Sequence, residues 1–395
     1  MRLLIVQYAG DYREAAQRFA EGGEETYYAQ KYSVDAVAEI GKQIEEAAVL
    51  CCMTTEPYDE VLPNGVHAIG AGFNKEIQIK KLIELIEKQK PTHLIVRTPI
   101  RQIFQWAIKN KVKTIAILAD SFSSEGLRNK IKNYWLTTLL NHNQIRWIFN
   151  HGINASLSLK QIGINPDKII PWDWPALVTP DDFQPKIVRE SVDKWNLLYI
   201  GSITESKGVG DILESVEKLK NNKLSVKLKI AGAGETEAFI NKAKQLKVED
   251  CVEFIGLVPN KAVVHLMREA DLVLIPSRHE YPEGFPMTIY EALCSRTPIV
   301  ASDHPMFQNK LKSEHNAMIF QAGNSTSLSA CIEKILSEPK LYQNISIASA
   351  DAWNKLQIPV KWADMINRWL DDSPENQQWL FEHRLSSRHY NSPAE

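Results

Sequence analysis

The sequence predicts an α/β protein of two domains, each a parallel sheet with crossover helices. Three observations lead there. Short apolar runs alternate with helical patterns along most of the chain, as parallel strands joined by helices require. The rhythm stops across residues 176–192, which lack a clear period, contain Pro180 and Pro185 and are rich in charge, and it restarts at Asn196. The 395 residues exceed what one hydrophobic core usually supports.

Taken in order, Met1-Arg2-Leu3-Leu4-Ile5-Val6-Gln7-Tyr8 is apolar only briefly before Gly10 and Asp11, so it reads as a first buried strand at 3–8, not a signal peptide. Further strands are expected at 48–53, 67–70, 93–97, 114–118, 147–150 and 168–171. Between them, Ser33 can cap a helix carrying Val34, Val37, Ile40 and Ile44, and Ile79, Leu82, Ile83 and Ile86 mark another. Residues 176–192 read as an interdomain linker. The second domain opens on a strand at 196–200, followed by a helix whose Val209, Ile212, Leu213, Val216 and Leu219 form one buried face. Strands at 228–231, 252–255, 271–275 and 298–301 continue it. A helix is expected at 360–372, then a polar, loosely ordered tail with a short helix around Trp379.

Composition is that of an ordinary globular protein: 44% hydrophobic, 24% charged, net charge −2. That balance argues against a nucleic-acid partner. Five cysteines, two of them adjacent at Cys51 and Cys52, make no metal-ligand spacing and an odd number, and are read as reduced thiols of a cytoplasmic protein. No run approaches the ~20 apolar residues of a membrane span, so membrane contact is expected to be peripheral at most.

The most informative stretch is Pro276-Ser277-Arg278-His279-Glu280-Tyr281-Pro282-Glu283-Gly284-Phe285-Pro286-Met287-Thr288-Ile289-Tyr290-Glu291-Ala292-Leu293. It leaves the carboxyl end of an apolar strand, where open α/β sheets bind ligands. Pro286 suits the first turn of a helix. Free N–H groups around Gly284 to Met287 would then favour an anion such as a phosphate. Glu291, further into that helix, could reach a ribose diol, and Glu283 a sugar hydroxyl or developing positive charge. The bare spacing of two glutamates says little; their setting says more.

That segment closely resembles the donor-site motif of the retaining glycosyltransferases of family 4, which have the GT-B fold: two Rossmann-like domains with parallel sheets facing across a cleft. The resemblance covers residues 196–337 most strongly. It implies an acceptor-binding domain at 1–180 and a nucleotide-sugar donor domain at 193–358, with the helix at 360–372 packing back on the first. It implies that Glu283 contacts the transferred sugar, that Gly284, Phe285, Pro286 and Met287 contact sugar and phosphates, and that Glu291 holds the ribose. Gly201-Ser202-Ile203-Thr204-Glu205-Ser206-Lys207-Gly208 matches the family's phosphate loop at Gly201 and Lys207-Gly208, but Ser202 stands where the family has arginine. Lys207 would neutralise the departing diphosphate, alone or with an arginine from elsewhere such as Arg278 or Arg97.

Gly232 and Gly234, in Ile230-Ala231-Gly232-Ala233-Gly234-Glu235, also fit two glycines of a dinucleotide fingerprint, but Glu237 occupies the third position, and no acidic residue ends a following strand. The family's glycine-rich loop beside the nucleotide explains them better. Val258, in Phe254-Ile255-Gly256-Leu257-Val258, resembles the turn that holds the base. Ser302-Asp303-His304-Pro305 and Glu314-His315-Asn316-Ala317 read as scaffold of the cleft wall.

In the first domain, Gly10, Gly22 and Gly23 fall where the family has its acceptor-side glycine loop. Where it often has a histidine, the chain reads Ile117-Leu118-Ala119-Asp120, so Asp120 is the candidate to orient the acceptor hydroxyl or the sugar. His151 reads as a structural histidine. Residues 75–146 are predominantly basic with Trp106, Tyr134 and Trp135 interleaved, a mix suited to an anionic lipid surface.

The expected function is therefore a metal-independent, retaining hexosyltransferase with no cofactor. Its co-substrate would be a nucleotide-diphosphate sugar, a UDP-sugar favoured over a GDP-sugar. The acceptor would be a hydroxyl of a saccharide or lipid-linked molecule in polysaccharide, glycolipid or glycoconjugate synthesis. It would work in the cytoplasm, with peripheral contact on the cytoplasmic membrane. Two alternatives share the residues: a nucleotide-sugar epimerase of the same fold, and a sugar-nucleotide-binding protein impaired by the loss of arginine at 202. A dehydrogenase is more distant.

Overall fold

The computed structural model describes residues 1–123, 126–176, 178–189 and 193–390. They form two compact units. One comprises Met1–Glu25, Ala29–Pro175 and the described residues from Ile358 onward; the other comprises Thr26–Tyr28 and the described residues of Ala176–Gln357.

The first unit alternates β1 (Arg2–Gln7), α1 (Tyr12–Ala20), α2 (Gln30–Gly41), β2 (Glu46–Cys51), β3 (Pro57–Val61), β4 (His67–Ala71), α3 (Ile79–Gln89), β5 (His93–Val96), α4 (Arg101–Lys109), β6 (Lys113–Leu118), α5 (Leu127–Leu140), β7 (Ile145–His151), α6 (Ile153–Gln161) and β8 (Ile169–Trp172). The sheet runs β3-β4-β2-β1-β5-β6-β7-β8. Its pairs are parallel except β3–β4. Alternate residues of each strand feed two cores: Leu3 and Ile5 face one, Leu4 and Val6 the other.

The second unit holds β9 (Trp195–Ile200), α7 (Val209–Asn221), β10 (Val226–Ala231), α8 (Thr236–Gln245), β11 (Val252–Gly256), α9 (Asn260–Glu269), β12 (Leu272–Ile275), α10 (Met287–Cys294), β13 (Ile299–Ser302), β14 (Met318–Phe320), α11 (Ser325–Ser337) and α12 (Pro339–Leu356). Its sheet is all parallel in the order β11-β10-β9-β12-β13-β14. The order reverses between β9 and β12, which makes their shared carboxyl edge the topological switch point of a doubly wound sheet. The last helices, α13 (Trp362–Asp371) and α14 (Pro374–Glu382), belong to the first unit, where Trp362, Met365, Ile366, Trp369 and Leu380 join the core.

Each strand read from the sequence forms within about two residues of its expected bounds. Several expectations need correction. Ser33 is not a helix cap: α2 starts earlier, Ala29 is its N-cap in a left-handed conformation, and the Ser33 hydroxyl donates back to the Gln30 carbonyl at 2.8 Å. The edge strand β3 and the short β14 were not foreseen. The tail is not loose as far as 390, because α14 forms and Leu385 is buried.

The described part of 176–192 is bound into the second unit. Lys186 N–H donates to Ser346 Oγ at 2.6 Å, and Arg189 Nε donates to Asp271 at 2.7 Å. Residues 177 and 190–192 lie outside the described residues. The five cysteines are free thiols.

Candidate functional site

Two loops leave the switch point of the second unit. One, after β9, carries Gly201, Ser202 and Lys207; the other, after β12, carries Ser277 to Pro286 and enters α10. Gly208 joins them. Its φ of +76° favours glycine, and a Cβ there would lie 2.2 Å from the Pro276 carbonyl oxygen, so a side chain would push the loops apart. Arg278 N–H donates to the Ser206 carbonyl at 2.9 Å. The Arg278 guanidinium grips buried Asp211, at the start of α7, through two bonds of 2.9 and 2.7 Å, and Glu205 at 2.6 Å. These carboxylates raise the Arg278 pKa, with the bond to Asp211 the largest cause. Arg278 is thus neutralised by acids, which leaves it poorly placed to replace the arginine absent at 202.

Lys207 and Glu283 meet as a buried ion pair. Ser277 Oγ donates to the same Glu283 oxygen, Oε1, at 2.7 Å, and Lys207 Nζ lies 4.1 Å from the centroid of the Tyr281 ring. The backbone of this loop is held from behind. His304 Nδ1 accepts the Met306 N–H at 3.2 Å, so its Nε2–H donates to the Tyr281 carbonyl at 3.1 Å. Burial lowers the His304 pKa, keeping the ring in the neutral form this arrangement needs. Ser302 Oγ donates to the Ser277 carbonyl at 2.6 Å. Ser277 and Tyr281 are residues around Glu283 to which sequence reasoning assigns no role of their own, although both lie within the motif at 276–293; His304 reads there only as part of a scaffold segment, Ser302-Asp303-His304-Pro305.

Pro286 is the N-cap of α10, so the helix opens at Met287, one residue after the proline expected in its first turn. Ile289 N–H already donates to the Pro286 carbonyl at 3.0 Å, which leaves the N–H groups of Met287 and Thr288 without intrahelical acceptors. Phe285 turns its side chain into the core against Tyr290 and Phe307, leaving its backbone as the part available to a ligand. Glu291, in the second turn, is 6% exposed and accepts a bond from Asn260 Nδ2 at 3.0 Å. Burial pushes its carboxyl pKa up to about 7, against the opposing effect of Asn260.

The glycine loops stack edge to edge beside this pair. Gly201 N–H donates to the Ala231 carbonyl at 3.0 Å and Gly232 N–H to the Gly256 carbonyl at 2.8 Å. At Gly232, φ is +140° and a Cβ would fall 1.8 Å from the Gly201 carbonyl oxygen. The neighbouring loop therefore demands glycine here, whatever else binds. Gly234 bridges Ile203 in the same way. Ser202 is exposed, its carbonyl accepting the Tyr199 hydroxyl at 2.6 Å. Val258 is half-buried against the core, with Leu257 exposed beside it.

The candidates of the first unit are not gathered in this way. Asp120 follows β6; burial raises its pKa and Lys132 opposes the rise, while its carbonyl accepts Asn150 Nδ2 at 3.0 Å. Gly22 and Gly23 stop α1, their N–H groups donating to Phe19 and Arg18 carbonyls. The Gly10 carbonyl accepts Gln7 Nε2 at 3.3 Å. His151 is buried against Asp173 at 3.1 Å. Arg97 donates to Gln7 Oε1 at 3.0 Å. Among the described residues, no three His, Cys, Asp or Glu side chains cluster so as to hold a metal ion, and no helix is long and apolar enough to cross a membrane.

With this geometry in view, the likenesses to known proteins are specific about the second unit. Residues 180–351 match the family of glycosyl transferases group 1 and form a domain of that kind. The amylovoran biosynthesis glycosyltransferase AmsK of Erwinia amylovora is 26% identical over 162 residues, 40% of each chain. The chain thus matches less than half the length of this relative. Among solved structures, the sucrose-phosphate synthase of Thermosynechococcus elongatus superposes with a TM-score of 0.68 at 12% identity, over 94% of this chain and 98% of that one. Anabaena HepE in complex with UDP-glucose gives 0.64 at 13% identity, again over 94% and 98%. These likenesses establish the fold, two α/β domains with parallel sheets of the GT-B kind.

Proposed function

We propose that this chain, with a glycosyl transferases group 1 domain at 180–351, is a retaining, metal-independent hexosyltransferase of family 4. Its donor would be a nucleotide-diphosphate sugar, a UDP-sugar before a GDP-sugar. The acceptor would be a hydroxyl of a saccharide or lipid-linked molecule in polysaccharide, glycolipid or glycoconjugate synthesis. The observation that carries this reading is the Lys207–Glu283 pair at the switch point, beside the start of α10.

Each group has work that suits its chemistry. Negative charge develops on the departing diphosphate, and Lys207 with the N–H groups of Met287 and Thr288 at the start of α10 would stabilise it there. Glu283, released from Lys207 as the phosphates take the ammonium, would position the sugar and steady oxocarbenium-like charge. Glu291 would accept from the ribose hydroxyls. A leaving phosphate oxygen would take the proton of the acceptor hydroxyl as it attacks from the same face. Asp120 is the acceptor-side candidate. The complexes of HepE with UDP-glucose support the uridine preference by likeness of fold alone. The basic stretch at 75–146 supports peripheral contact with an anionic cytoplasmic membrane surface.

Incubation with UDP-sugars and a panel of saccharide and lipid-linked acceptors, read by mass spectrometry and proton NMR of the new anomeric centre, tests this. Transfer with retained configuration is expected without added divalent metal. Epimerised donor, or free nucleotide with a glycal, would replace transferase by epimerase. Nucleotide binding with no transfer to any acceptor would favour the impaired binding protein.

A further inference from the structure

Helix α5 is apolar on two opposite sides, and the core uses one. Leu136 and Leu140 are buried, with Asn133 beside them. Leu127, Ile131, Tyr134 and Trp135 recur at i, i+4, i+7 and i+8, which puts them together on the other side. They are 75%, 55%, 66% and 47% exposed. A helix that serves only a core carries polar residues on its outer side. Here the outer stripe is apolar and its borders are cationic. Arg128, Lys130 and Lys132 flank it, and none is in an ion pair among the described residues. Tyr134 and Trp135 pack edge to face at 5.6 Å, and the Arg101 guanidinium of α4 lies 5.2 Å from the Trp135 ring.

Some other members of the basic stretch are already engaged. Lys88 pairs with Asp59 at 2.6 Å, Lys113 with Asp372 at 3.0 Å, and Lys81 donates to the Ala71 carbonyl at 3.0 Å. Trp106 donates its indole N–H to Glu87 at 2.9 Å. Lys75, Lys80, Lys90, Lys109 and Lys111 are likewise in no ion pair among the described residues, but no large exposed apolar side chain accompanies them, so unmatched charge and unmatched apolar surface come together on α5. From Gly126 to Pro166 the sequence contains no aspartate or glutamate.

We infer that the outer face of α5 docks on an anionic lipid surface, with Leu127, Ile131, Tyr134 and Trp135 entering the boundary between headgroups and acyl chains while Arg128, Lys130 and Lys132 meet lipid phosphates. This deepens the peripheral contact proposed above and rests on that part of the reading alone. An interfacial helix needs an apolar stripe bordered by cations and aromatic residues that tolerate the wet boundary, and this face supplies both. A second copy of the chain is a poorer occupant. A two-fold contact through this face would bring its unpaired cations against the same cations of the partner.

Sedimentation of the full chain with vesicles of phosphatidylcholine, with and without phosphatidylglycerol, tests the inference. The protein should sediment with anionic vesicles, not with neutral ones, and less as salt rises. Ile131→Ser with Trp135→Ser, and separately Arg128→Glu with Lys130→Glu, should each lower anionic-vesicle binding by about tenfold or more. Thermal melting should stay unchanged, since these side chains are exposed.

Failure of the unmodified chain to bind anionic vesicles would overturn both the docking face and the peripheral contact. Binding by both double variants at the unmodified level would overturn α5 as the element. A change of dimerisation in the serine variant, with vesicle binding intact, would assign the face to a second copy. Titration with UDP keeps the two questions apart: its failure would sink the donor-site reading and leave the vesicle result standing.

Discussion

Lys207 and Glu283 leave different strands, β9 and β12, and meet as an ion pair whose acceptor oxygen is shared with the Ser277 hydroxyl. Both side chains are largely buried, so each is the other's main compensation. Removing one partner of such a pair strands a buried charge, at a cost of about 3–5 kcal/mol. Lys207→Ala or Glu283→Ala should each destabilise the second unit on that scale. Lys207→Met with Glu283→Gln should cost much less than the sum of two single changes. Additive urea-denaturation energies would remove the coupling. In the proposed reaction, Lys207→Ala should also slow turnover by about 10²–10³, the loss seen when one charge-stabilising donor is removed.

Glu291 links the site to pH. Its folded pKa is about 7, raised by burial from an ordinary value of 4.5. Between those values the folded chain binds a proton that the unfolded chain does not, so stability falls as pH rises through this window. Glu291→Gln should therefore raise the melting temperature above pH 7, by ~2–4 °C per kcal/mol for a domain of this size, and change it little below the ordinary carboxyl pKa. A ribose diol donates two hydroxyls and favours the ionised carboxylate. Nucleotide binding somewhat below neutrality should then release protons. Calorimetry in buffers of different ionisation enthalpy would detect the release, and identical heats in all of them would rule it out.

Asp211 and Arg278 clamp the two site loops from outside the ligand position. Asp211 is buried and accepts both arms of the guanidinium. Asp211→Ala should cost about 3 kcal/mol, as loss of one member of a buried pair does. Arg278→Lys keeps the charge but loses the fork, and should raise the donor KM more than it lowers kcat. Steady-state kinetics with varied donor would show the split; an unchanged KM would detach this clamp from donor binding.

His304 carries a similar expectation for the backbone at Tyr281. His304→Ala removes the bond to that carbonyl and frees the loop that presents Glu283. Stability should fall by about 1–3 kcal/mol, and kcat/KM by more than that loss explains. His304→Gln, able to donate to the same carbonyl, should restore part of the rate. Equal rates for both variants would make the histidine a packing residue.

The strands were legible because parallel strands buried on both faces are written as short apolar runs, as in Leu3-Leu4-Ile5-Val6 and Leu272-Val273-Leu274-Ile275. β3 was not, because Pro57-Tyr58-Asp59-Glu60-Val61 is an exposed edge whose pairing with β4 supplies what its composition lacks. The start of α2 was misplaced at Ser33 because Ala29 carries no capping side chain to mark the true beginning. The motif named Lys207, Glu283 and Glu291. Asn260, the partner of Glu291, comes from another helix, so spacing along the chain carries no trace of that pairing, whereas Ser277 lies in the same loop as Glu283 and inside the motif. Gly232 shows the opposite limit: its glycine was visible, but the neighbouring carbonyl that demands it was not.

Isothermal titration of the full chain with UDP, GDP and ADP tests the donor site most directly. One UDP should bind per chain, and Glu291→Ala should weaken it by about tenfold, the loss of charge-assisted hydrogen bonds to the ribose. No measurable binding of any of the three diphosphates would contradict the assignment of Lys207, Glu283 and Glu291 to a nucleotide-sugar site.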